Sequence, residues 1–272
     1  MSRSGSDVTG VRETDAICIE EEQLTRIRDI TALEEPLHIK IQIRGTEYSL
    51  GLTMRTPGSD DILAYGFVFA EGIIDSIQEV IEVAIGPDEI ILTLSDTVEF
   101  DAEAHRRLTT ITSSCGVCGK TSLSHLPGCQ DYQLNSQFQI GPNILVKSSL
   151  SMTSVQTLFK LTGGTHAAGA FDVEGNLIFH EEDVGRHNAM DKLVGKLMLN
   201  DIDTNQHFVM VSGRSSFELV QKAIRAGFPI LGSVGAASSL AIDLAREHNL
   251  TLASFVKDNR MVIHSSSHRI VR

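Results

Sequence analysis

The sequence lacks a long apolar run, an excess of basic side chains and an apolar leader. No stretch of its 272 residues approaches the ~18 consecutive apolar residues of a membrane helix. Asp and Glu number 35 against 23 for Lys and Arg, so the formal net charge is −12, which disfavours binding to nucleic acid or to an anionic membrane. Residues 1–15 are polar, so we expect no signal peptide. These absences predict a globular, cytoplasmic protein.

Cysteine is also scarce. The four cysteines are Cys18, Cys115, Cys118 and Cys129. Sparse usage favours a reducing compartment, where a close pair is more often chemically active than a structural disulfide. We therefore expect chemistry at Cys115 and Cys118, and we expect Cys18 and Cys129 to be bystanders because neither has a neighbouring cysteine.

The chain divides into a short tail and two units. Residues 1–15 are polar and small and predict a flexible tail. Residues 16–112 are rich in short strand patterns and predict a small, β-rich α+β domain. Its predicted strands are Leu37–Ile43, Tyr48–Thr53 and Glu89–Leu94. One predicted helix follows Pro57 and Gly58, with Ser59 as its N-cap.

Residues 113–272 change to an alternation of strands and helices. The predicted strands are Phe208–Val211, Pro229–Val234 and Thr251–Val256. The predicted helices are Ser151–Lys160, Asp183–Asn200, Ser215–Ala226 and Ala237–His248. Strands and helices that alternate through short links are the signature of a parallel sheet with right-handed crossovers. This unit is therefore predicted to be α/β, and it begins with the loop SSCGVCGK.

The pair Cys115-Gly-Val-Cys118 has three interpretations. Half of a zinc site would need further ligands, such as Cys129 and His125, because the sequence has no second CxxC. A thioredoxin-like redox pair opens a helix directly after a strand, whereas glycines and serines surround this pair. In a nucleophilic loop, the flanking glycine N–H groups and Lys120 would lower the pKa of a thiol. Such a thiolate suits a carrier that visits two partners.

Basic residues follow two predicted strand ends in the second unit. Arg214 lies where a strand end meets a helix N-terminus, the usual place for phosphate in open α/β sheets. Lys257 and Arg260 follow the strand that ends at Val256. In an acidic protein, positive charges gathered on one sheet edge indicate an anionic ligand.

Other polar residues in this unit have structural as well as functional interpretations. The turn Thr162–His166 could cradle an anion, but a glycine-rich turn is more often only a turn, and a lone His166 is more often a satisfied core residue. Ser215 and Glu218 fit a capping box. His187 is predicted on the buried stripe of its helix, where it could face a pocket.

Several segments, in one order, resemble the formate dehydrogenase accessory sulfurtransferases, the FdhD family. They are EEP (34–36), TMRTPG (53–58), FAEGII (69–74), SSCGVCGK (113–120), TGGTHAA (162–168), EDVGRHNAMDKL (182–193), SGRSSFELVQKA (212–223) and ASFVKDNRMVIH (253–264). The resemblance covers about residues 34 to 264, and so many matched segments make it specific.

The resemblance implies sulfur transfer from a cysteine desulfurase to the molybdenum bis-molybdopterin guanine dinucleotide cofactor, which formate dehydrogenase requires. It places the persulfide on Cys115, with Cys118 as its partner. The candidate cofactor-binding residues are Phe255, Val256, Lys257, Asp258, Asn259, Arg260, Arg214, His187, Thr165 and His166. We expect GDP to bind as a fragment of the cofactor, we expect no resident metal, and the resemblance also implies a homodimer.

The family also looks like the cytidine deaminase fold, so the second unit is expected to be a three-layer, deaminase-like domain. In deaminases a His-x-Glu opens one helix and a Pro-Cys-x-x-Cys opens another, and together they hold zinc. The matching segments here are His187-Asn-Ala189 and Gly213–Ser216. The histidine is retained, but the glutamate and the cysteines are missing, so deaminase zinc chemistry is not expected.

Two competing functions remain open at this stage. A non-catalytic chaperone could bind the cofactor or the apoenzyme, with the CxxC as metal or scaffold ligands. A zinc hydrolase could use His180, His187 and Cys115. Persulfide labelling separates the carrier from the chaperone, and elemental analysis for zinc tests the hydrolase.

Overall fold

The computed structural model describes residues 9–103, 133–258 and 260–271, which form three sheets and six α-helices. The strands are β1 (Val11–Glu20), β2 (Gln23–Ala32), β3 (Glu35–Ile43), β4 (Thr46–Arg55), β5 (Val80–Ile85), β6 (Glu89–Leu94), β7 (His166–Phe171), β8 (Leu177–Asp183), β9 (Phe208–Val211), β10 (Ile230–Ser233), β11 (Thr251–Lys257) and β12 (Arg260–Ser265). The helices are α1 (Asp60–Ala70), α2 (Pro142–Val155), α3 (Thr157–Thr162), α4 (Arg186–Leu199), α5 (Phe217–Arg225) and α6 (Ser239–Glu247). None of the helices in these ranges is long and apolar enough to cross a membrane.

Strands β3 to β6 form a four-stranded sheet that packs against α1. The order is β4-β3-β6-β5, with β3 parallel to β6 and the other pairs antiparallel. Strand β3 alternates the buried residues Leu37, Ile39 and Ile41 with half-buried polar ones, as expected for a sheet with one covered face. The strands predicted here are confirmed. Ser59 occupies the predicted N-cap position of α1, but its side chain makes no capping hydrogen bond, and its backbone is left-handed (φ 57°) rather than extended.

Strands β7 to β12 form a six-stranded mixed sheet with the order β12-β11-β10-β9-β7-β8. Strands β9, β10 and β11 are parallel, as predicted, whereas β7 and β12 run antiparallel to their neighbours. Helices α4, α5 and α6 cover one face in a core shared with α1. Helix α2 covers the other face, where Leu145 and Met152 pack against Phe171 and Phe208. The second unit is therefore a mixed α/β structure of three layers.

Helices α1 and α4 cross so closely that each has a glycine at the contact. A Cβ at Gly66 would lie 1.8 Å from the carbonyl oxygen of Asp191, and a Cβ at Gly195 would lie 2.0 Å from that of Ile62. No side chain fits at such distances, so the apolar faces of the two helices merge into one core. The two predicted units share this core, and the boundary predicted between residues 112 and 113 lies outside the described residues.

Strands β1 and β2 form a separate antiparallel ribbon, which we call the β1–β2 arm. The strands are paired from Val11↔Ala32 to Glu20↔Gln23. Strand β1 therefore begins inside the segment 1–15 that was predicted to be a tail, because pairing with β2 satisfies its backbone groups. The base of the arm is closed where the Leu33 N–H donates to the carbonyl of Gly10 at 2.8 Å.

Two helices differ from their predicted ranges. The single helix predicted at Ser151–Lys160 is part of two helices, α2 and α3, which meet at Gln156 because its backbone (φ −68°, ψ 85°) leaves the helical region. The helix predicted to begin at Asp183 begins at Arg186, because Asp183 is the last residue of β8.

Candidate functional site

At one edge of the six-stranded sheet, strands β8, β9, β10 and β11 end and strands β7 and β12 begin. Register places His166, at the start of β7, opposite Asp183, at the end of β8. Strands β9, β10 and β11 end at the same edge, with Val211 beside Ser233. We call this the carboxyl edge, and it is where open α/β sheets bind ligands. Predicted site residues in the segments that meet here are Thr165, His166, His187, Arg214, Phe255, Val256, Lys257, Asp258 and Arg260.

Two loops run side by side along the carboxyl edge: residues 212–216 after β9 and residues 234–238 after β10. Gly235 donates its N–H to the carbonyl oxygen of Gly213 at 3.0 Å. A Cβ at Gly235 would lie 2.8 Å from that same oxygen, so this approach requires glycine. Because each loop leads into a helix, the N-termini of α5 and α6 both lie at this edge.

His187, in the first turn of α4, contacts the first of these loops. Its Nε2 is 3.3 Å from the Oγ of Ser216 and 3.7 Å from the Oε2 of Glu218. This contact with His187 holds the pKa of Glu218 well below its usual range, at about 2. The His187 side chain is 35% exposed, so it lies at the carboxyl edge and not on the predicted buried stripe.

The predicted capping box of Ser215 and Glu218 is wrong. Ser216, not Ser215, occupies the N-cap position of α5, and Glu218 contacts His187 instead of closing a box. Among the described residues, the buried Oγ of Ser215 has no hydrogen-bond partner. The side chain of Ser216 makes no capping hydrogen bond either, and the neighbouring helix α4 supplies His187, a partner for Glu218 that the local pattern does not contain.

His166 is half-buried beside the same loop. A Cβ at Gly213 would lie 3.2 Å from the Nδ1 of His166, so the loop backbone packs against the ring. Burial lowers the pKa of His166, and the nearby positive charges of Arg186 and His187 lower it further. The ring is therefore neutral at pH 7 and offers one donor and one acceptor at the edge.

Thr165 has a role within the fold. It is buried and donates its hydroxyl to the Oε1 of Glu182 at 3.0 Å. The same carboxylate accepts the N–H groups of Leu158 and Phe159, each at 2.9 Å, at the start of α3. Glu182 thus fixes the turn that precedes His166, and Thr165 holds that turn in place.

Phe255 has a backbone that a bulky side chain rarely adopts. Its φ is +55°, it lies in the irregular part of the β11–β12 pairing, and its N–H donates to the carbonyl of Gly235 at 3.1 Å. The residue is 37% exposed, and the guanidinium carbon of Arg260 lies 5.9 Å from its ring centroid. Backbone strain of this kind clusters at functional sites.

The other described residues at the junction of β11 and β12 differ in their burial. Val256 is buried, and its carbonyl accepts the Oγ of Ser149 from α2 at 2.8 Å. Lys257, Asp258 and Arg260 are exposed. Val256 therefore anchors the turn, while its charged neighbours face solvent.

A buried carboxylate at the end of β8 supports the carboxyl edge. Asp183 is fully buried and accepts from the N–H groups of Thr56 (3.1 Å) and Gly185 (2.8 Å). It also accepts from the Nδ2 of Asn188 (3.1 Å) and contacts the Nζ of Lys192 (2.7 Å). Lys192 in turn donates to the carbonyl of Thr56 at 2.8 Å. We call this set the Asp183 network, and it joins the end of β4 to the turn before α4.

Asn188 extends this connection along β4. Its Nδ2 donates to the carbonyl of Met54 at 2.7 Å, and its Oδ1 accepts the hydroxyl of Thr53 at 3.0 Å. In the sequence, the only sign of this connection is that both segments, TMRTPG and EDVGRHNAMDKL, are among the motifs that resemble the family. Their pairing joins positions more than 120 residues apart, which local patterns do not reveal.

The roles predicted for Cys115, Cys118 and Asn259 lie outside the described residues and stay predictions, as does the zinc alternative built on Cys129 and His125. Within the described ranges, no group of three or more His, Cys, Asp or Glu side chains is arranged to hold a metal ion. The hydrolase alternative includes Cys115, so these ranges do not test it.

Comparisons with known proteins identify the family of this chain. The model of the FdhD/NarQ family matches residues 32–271. A sulfur carrier protein FdhD from Nocardia farcinica is 40% identical over 253 residues, or 90% of this chain and 89% of that protein. One from Picrophilus torridus is 40% identical over 246 residues, or 90% and 93%.

A crystal structure from Desulfotalea psychrophila, provisionally described as a formate dehydrogenase accessory protein, has the same fold. Its TM-score is 0.77, at 23% identity, over 96% of this chain and 100% of that chain. The residues that the family model matches include most of the first predicted unit, nearly all of the second and every segment of the carboxyl edge. The chain belongs to the FdhD/NarQ family.

Proposed function

We propose that this protein carries persulfide sulfur from a cysteine desulfurase to the molybdenum bis-molybdopterin guanine dinucleotide cofactor, and so acts as a sulfurtransferase that supports formate dehydrogenase. The family supports a sulfur-transfer role tied to formate dehydrogenase. The observation that carries the finer proposal is the positive charge at the carboxyl edge of a chain whose net charge is −12.

The carboxyl edge fits the phosphates of this substrate. Arg214, Lys257 and Arg260 are exposed there, and the N-termini of α5 and α6 lie beside them. Charge-assisted hydrogen bonds to phosphate are worth about 1.5–3 kcal/mol each. Among the described residues, the Nε of Arg186 is buried without a hydrogen-bond partner, which leaves a further donor at the start of α4.

Phe255 fits the guanine base. Its exposed ring, with Arg260 5.9 Å from the centroid, resembles the aromatic and arginine platforms on which bases stack. The strained backbone of Phe255 holds the ring at the edge, where a nearby phosphate would meet Arg214. We assign base stacking to Phe255 and phosphate binding to the basic residues.

The sulfur chemistry is assigned to Cys115 from the family resemblance. Its thiolate attacks the terminal sulfur of the desulfurase persulfide, and the donor S–S bond breaks with its electron pair leaving on the donor cysteine. Cys115 then carries the persulfide, with Cys118 as its partner. On delivery, the Cys115–sulfur bond breaks with its pair returning to Cys115, and the released sulfur takes two electrons from the substrate's metal as a sulfido ligand.

Three further properties belong to this proposal. The sparse cysteines support a cytoplasmic location, and the resemblance supports a homodimer. The second unit is proposed to be deaminase-like. The order β8-β7-β9-β10-β11, with β7 antiparallel and helices on both faces, supports that arrangement.

Mass spectrometry after incubation with a cysteine desulfurase and cysteine tests the proposal. We expect the mass of one added sulfur on the peptide that contains residues 115–118. Cys115→Ala should abolish it, and the matched control with both Cys18→Ser and Cys129→Ser should retain it. A chain that gains no sulfur but still binds GDP would be the non-catalytic chaperone instead.

A further inference from the structure

Strand β5 lies at the end of the four-stranded sheet, and no other described strand covers its outer side. The order of the sheet is β4-β3-β6-β5, so β5 pairs with β6 alone. An edge strand presents a row of unpaired backbone N–H and C=O groups, to which an extended chain can bind. Strand β5 is also held in place, because Val80 and Val83 pack against the core. It can therefore offer a fixed edge to a partner.

The pairing with β6 determines which backbone groups of β5 are free. Gly86, directly after the strand, donates its N–H to the carbonyl of Glu89 at 2.8 Å. Bonded and non-bonded positions alternate along an antiparallel ladder, so every second residue counted back from Gly86 to residue 82 bonds to β6. The N–H and C=O groups of Val83 and Ile85 therefore point away from the sheet. Within the described ranges, no backbone hydrogen bond from a turn or loop reaches these groups.

The side chains of β5 offer apolar contacts beside these backbone groups. Ile81 and Ile85 are 68% and 61% exposed. By contrast, β8 and β12, the edge strands of the six-stranded sheet, expose no large apolar side chain at any of their described residues. Exposed apolar side chains next to free backbone groups are typical of an edge to which a strand is added.

The charge around β5 has one sign. From residue 60 to residue 103 the sequence has twelve Asp and Glu residues and no Lys, Arg or His. One of these carboxylates, Asp75, is paired with Arg225 at 2.7 Å. Glu82, within the strand, and Asp88, in the turn after it, are exposed and form no ion pair with the described residues. The free charge beside the edge is therefore negative, which favours a basic partner.

We propose that β5 binds an extended, lysine- or arginine-rich segment of a partner protein, which adds to the four-stranded sheet as a fifth strand. The backbone of the segment bonds to Val83 and Ile85, and its basic side chains face Glu82 and Asp88. A second copy of this chain fits the edge less well, because pairing β5 with itself would bring two Glu82 side chains close together, and like charges across a strand pair are destabilising. No residue of the carboxyl edge takes part, so the inference does not depend on the proposed function.

A short synthetic peptide in which lysine and valine alternate is the probe for this edge. Fluorescence anisotropy of the labelled peptide should show binding to the wild-type chain, and the same peptide with glutamate in place of lysine should bind about tenfold more weakly or worse. Amide hydrogen exchange should show that the lysine peptide protects the N–H groups of Val83 and Ile85 and leaves β8 and β12 unchanged. Absence of binding, equal binding of the two peptides, or protection only at other strands would overturn the proposal.

A charge-reversed variant tests the role of the carboxylates. With Glu82→Lys and Asp88→Lys together, the preference should reverse, so that the glutamate peptide binds more tightly than the lysine peptide. The control with Glu20→Lys and Glu247→Lys, at exposed positions of β1 and α6, changes the net charge equally and should keep the wild-type preference. A reversal in the control as well would assign the effect to net charge and overturn the edge as the site.

A proline variant tests the backbone hydrogen bonds. Ile85→Pro removes a free N–H but no bond to β6, so the fold should be retained and the lysine peptide should bind about tenfold more weakly. The control Val173→Pro, at a 50% exposed position in the turn between β7 and β8, should bind it as wild type does. Wild-type affinity in Ile85→Pro would contradict strand addition. If thermal unfolding shows that Ile85→Pro does not fold, the charge reversal and the hydrogen exchange decide.

Discussion

The exposed residues of the carboxyl edge, which we call the rim, and the Asp183 network beneath them, which we call the support, are built from different kinds of interaction. At the rim, Arg214, Phe255 and Arg260 are exposed, and their charges and ring face solvent. In the support, Asp183 and Lys192 are buried, and each is hydrogen-bonded to the backbone of Thr56 in the other unit. Because the rim contributes few contacts to the fold, substitutions there should change affinity. Substitutions in the support should change stability.

The largest effect is expected from the support. Lys192→Met removes the cation paired with buried Asp183 and its bond to Thr56, and removal of one partner of a buried ion pair costs about 3–5 kcal/mol. Chemical denaturation should show a decrease of that size in the free energy of unfolding. If the denaturation midpoint of Lys192→Met equals that of wild type, the Asp183 network does not join the two units as described.

A matched lysine on the same helix provides the control. Lys196 contacts Glu181 at 2.5 Å, but its side chain is 32% exposed. Lys196→Met should therefore cost no more than about 1 kcal/mol, as for other solvent-screened pairs. The contrast between the two variants measures what burial adds to the same kind of contact.

The second effect is expected at the rim and concerns affinity. Arg214→Ala or Arg260→Ala removes a charge-assisted bond to phosphate worth about 1.5–3 kcal/mol, so GDP should bind at least tenfold more weakly. Calorimetric titration measures this loss, and thermal stability should stay near the wild-type value. Arg246→Ala, on the far end of α6, is the matched control. If both rim variants bind GDP with wild-type affinity, the nucleotide binds elsewhere, and the turn Thr162–His166 is the next candidate site.

A third, smaller effect separates the ring of Phe255 from its backbone. Both Phe255→Ala and Phe255→Gly remove the stacking surface, so both should weaken GDP binding by similar factors. Alanine retains the cost of the left-handed conformation, whereas glycine does not. The free energy of unfolding of the glycine variant should therefore exceed that of the alanine variant by about 1 kcal/mol. Equal stability of the two variants would show that the strained backbone relaxes when the ring is removed.

The smallest effect concerns Glu218, which joins the rim to α4. Its pKa in the folded protein is about 2, against 4.5 for an ordinary glutamate. A depressed pKa contributes stability above pH 4.5 and loses it as the pH falls toward 2. The advantage of wild type over Glu218→Gln should therefore shrink between pH 5 and pH 3. Because the side chain is about half exposed, the change should stay below about 1 kcal/mol.

His187 provides the control for this titration, since its contact is the largest cause of the lowered pKa of Glu218. In a His187→Ala background, the pH dependence of the difference should mostly disappear. A pH dependence that survives there would assign the lowered pKa to Ser216 and to the backbone N–H at the start of α5.

Local sequence patterns predicted the residues that follow strand ends at the carboxyl edge, but not the contacts there between distant segments. Arg214 was correctly placed because a strand followed closely by a helix brings that residue to the sheet edge. Glu218 was wrongly assigned to a capping box, because its partner His187 lies on another helix. Asp183 was predicted to begin a helix, whereas it ends β8 and contacts Thr56, which follows β4, and Lys192 of α4.

By itself, the sequence determined strands β3, β4, β6, β9, β10 and β11, most of the helices, the family, and the basic residues that follow strand ends. Those features depend on periodicity, on turn residues and on motifs within a few positions of one another. The tertiary structure alone decided that Asp183 is buried among donors from both units, that Gly66 and Gly195 let two helices touch, and that the β1–β2 arm stands exposed. Each of these depends on contacts between distant segments, and no local pattern records which segments will meet.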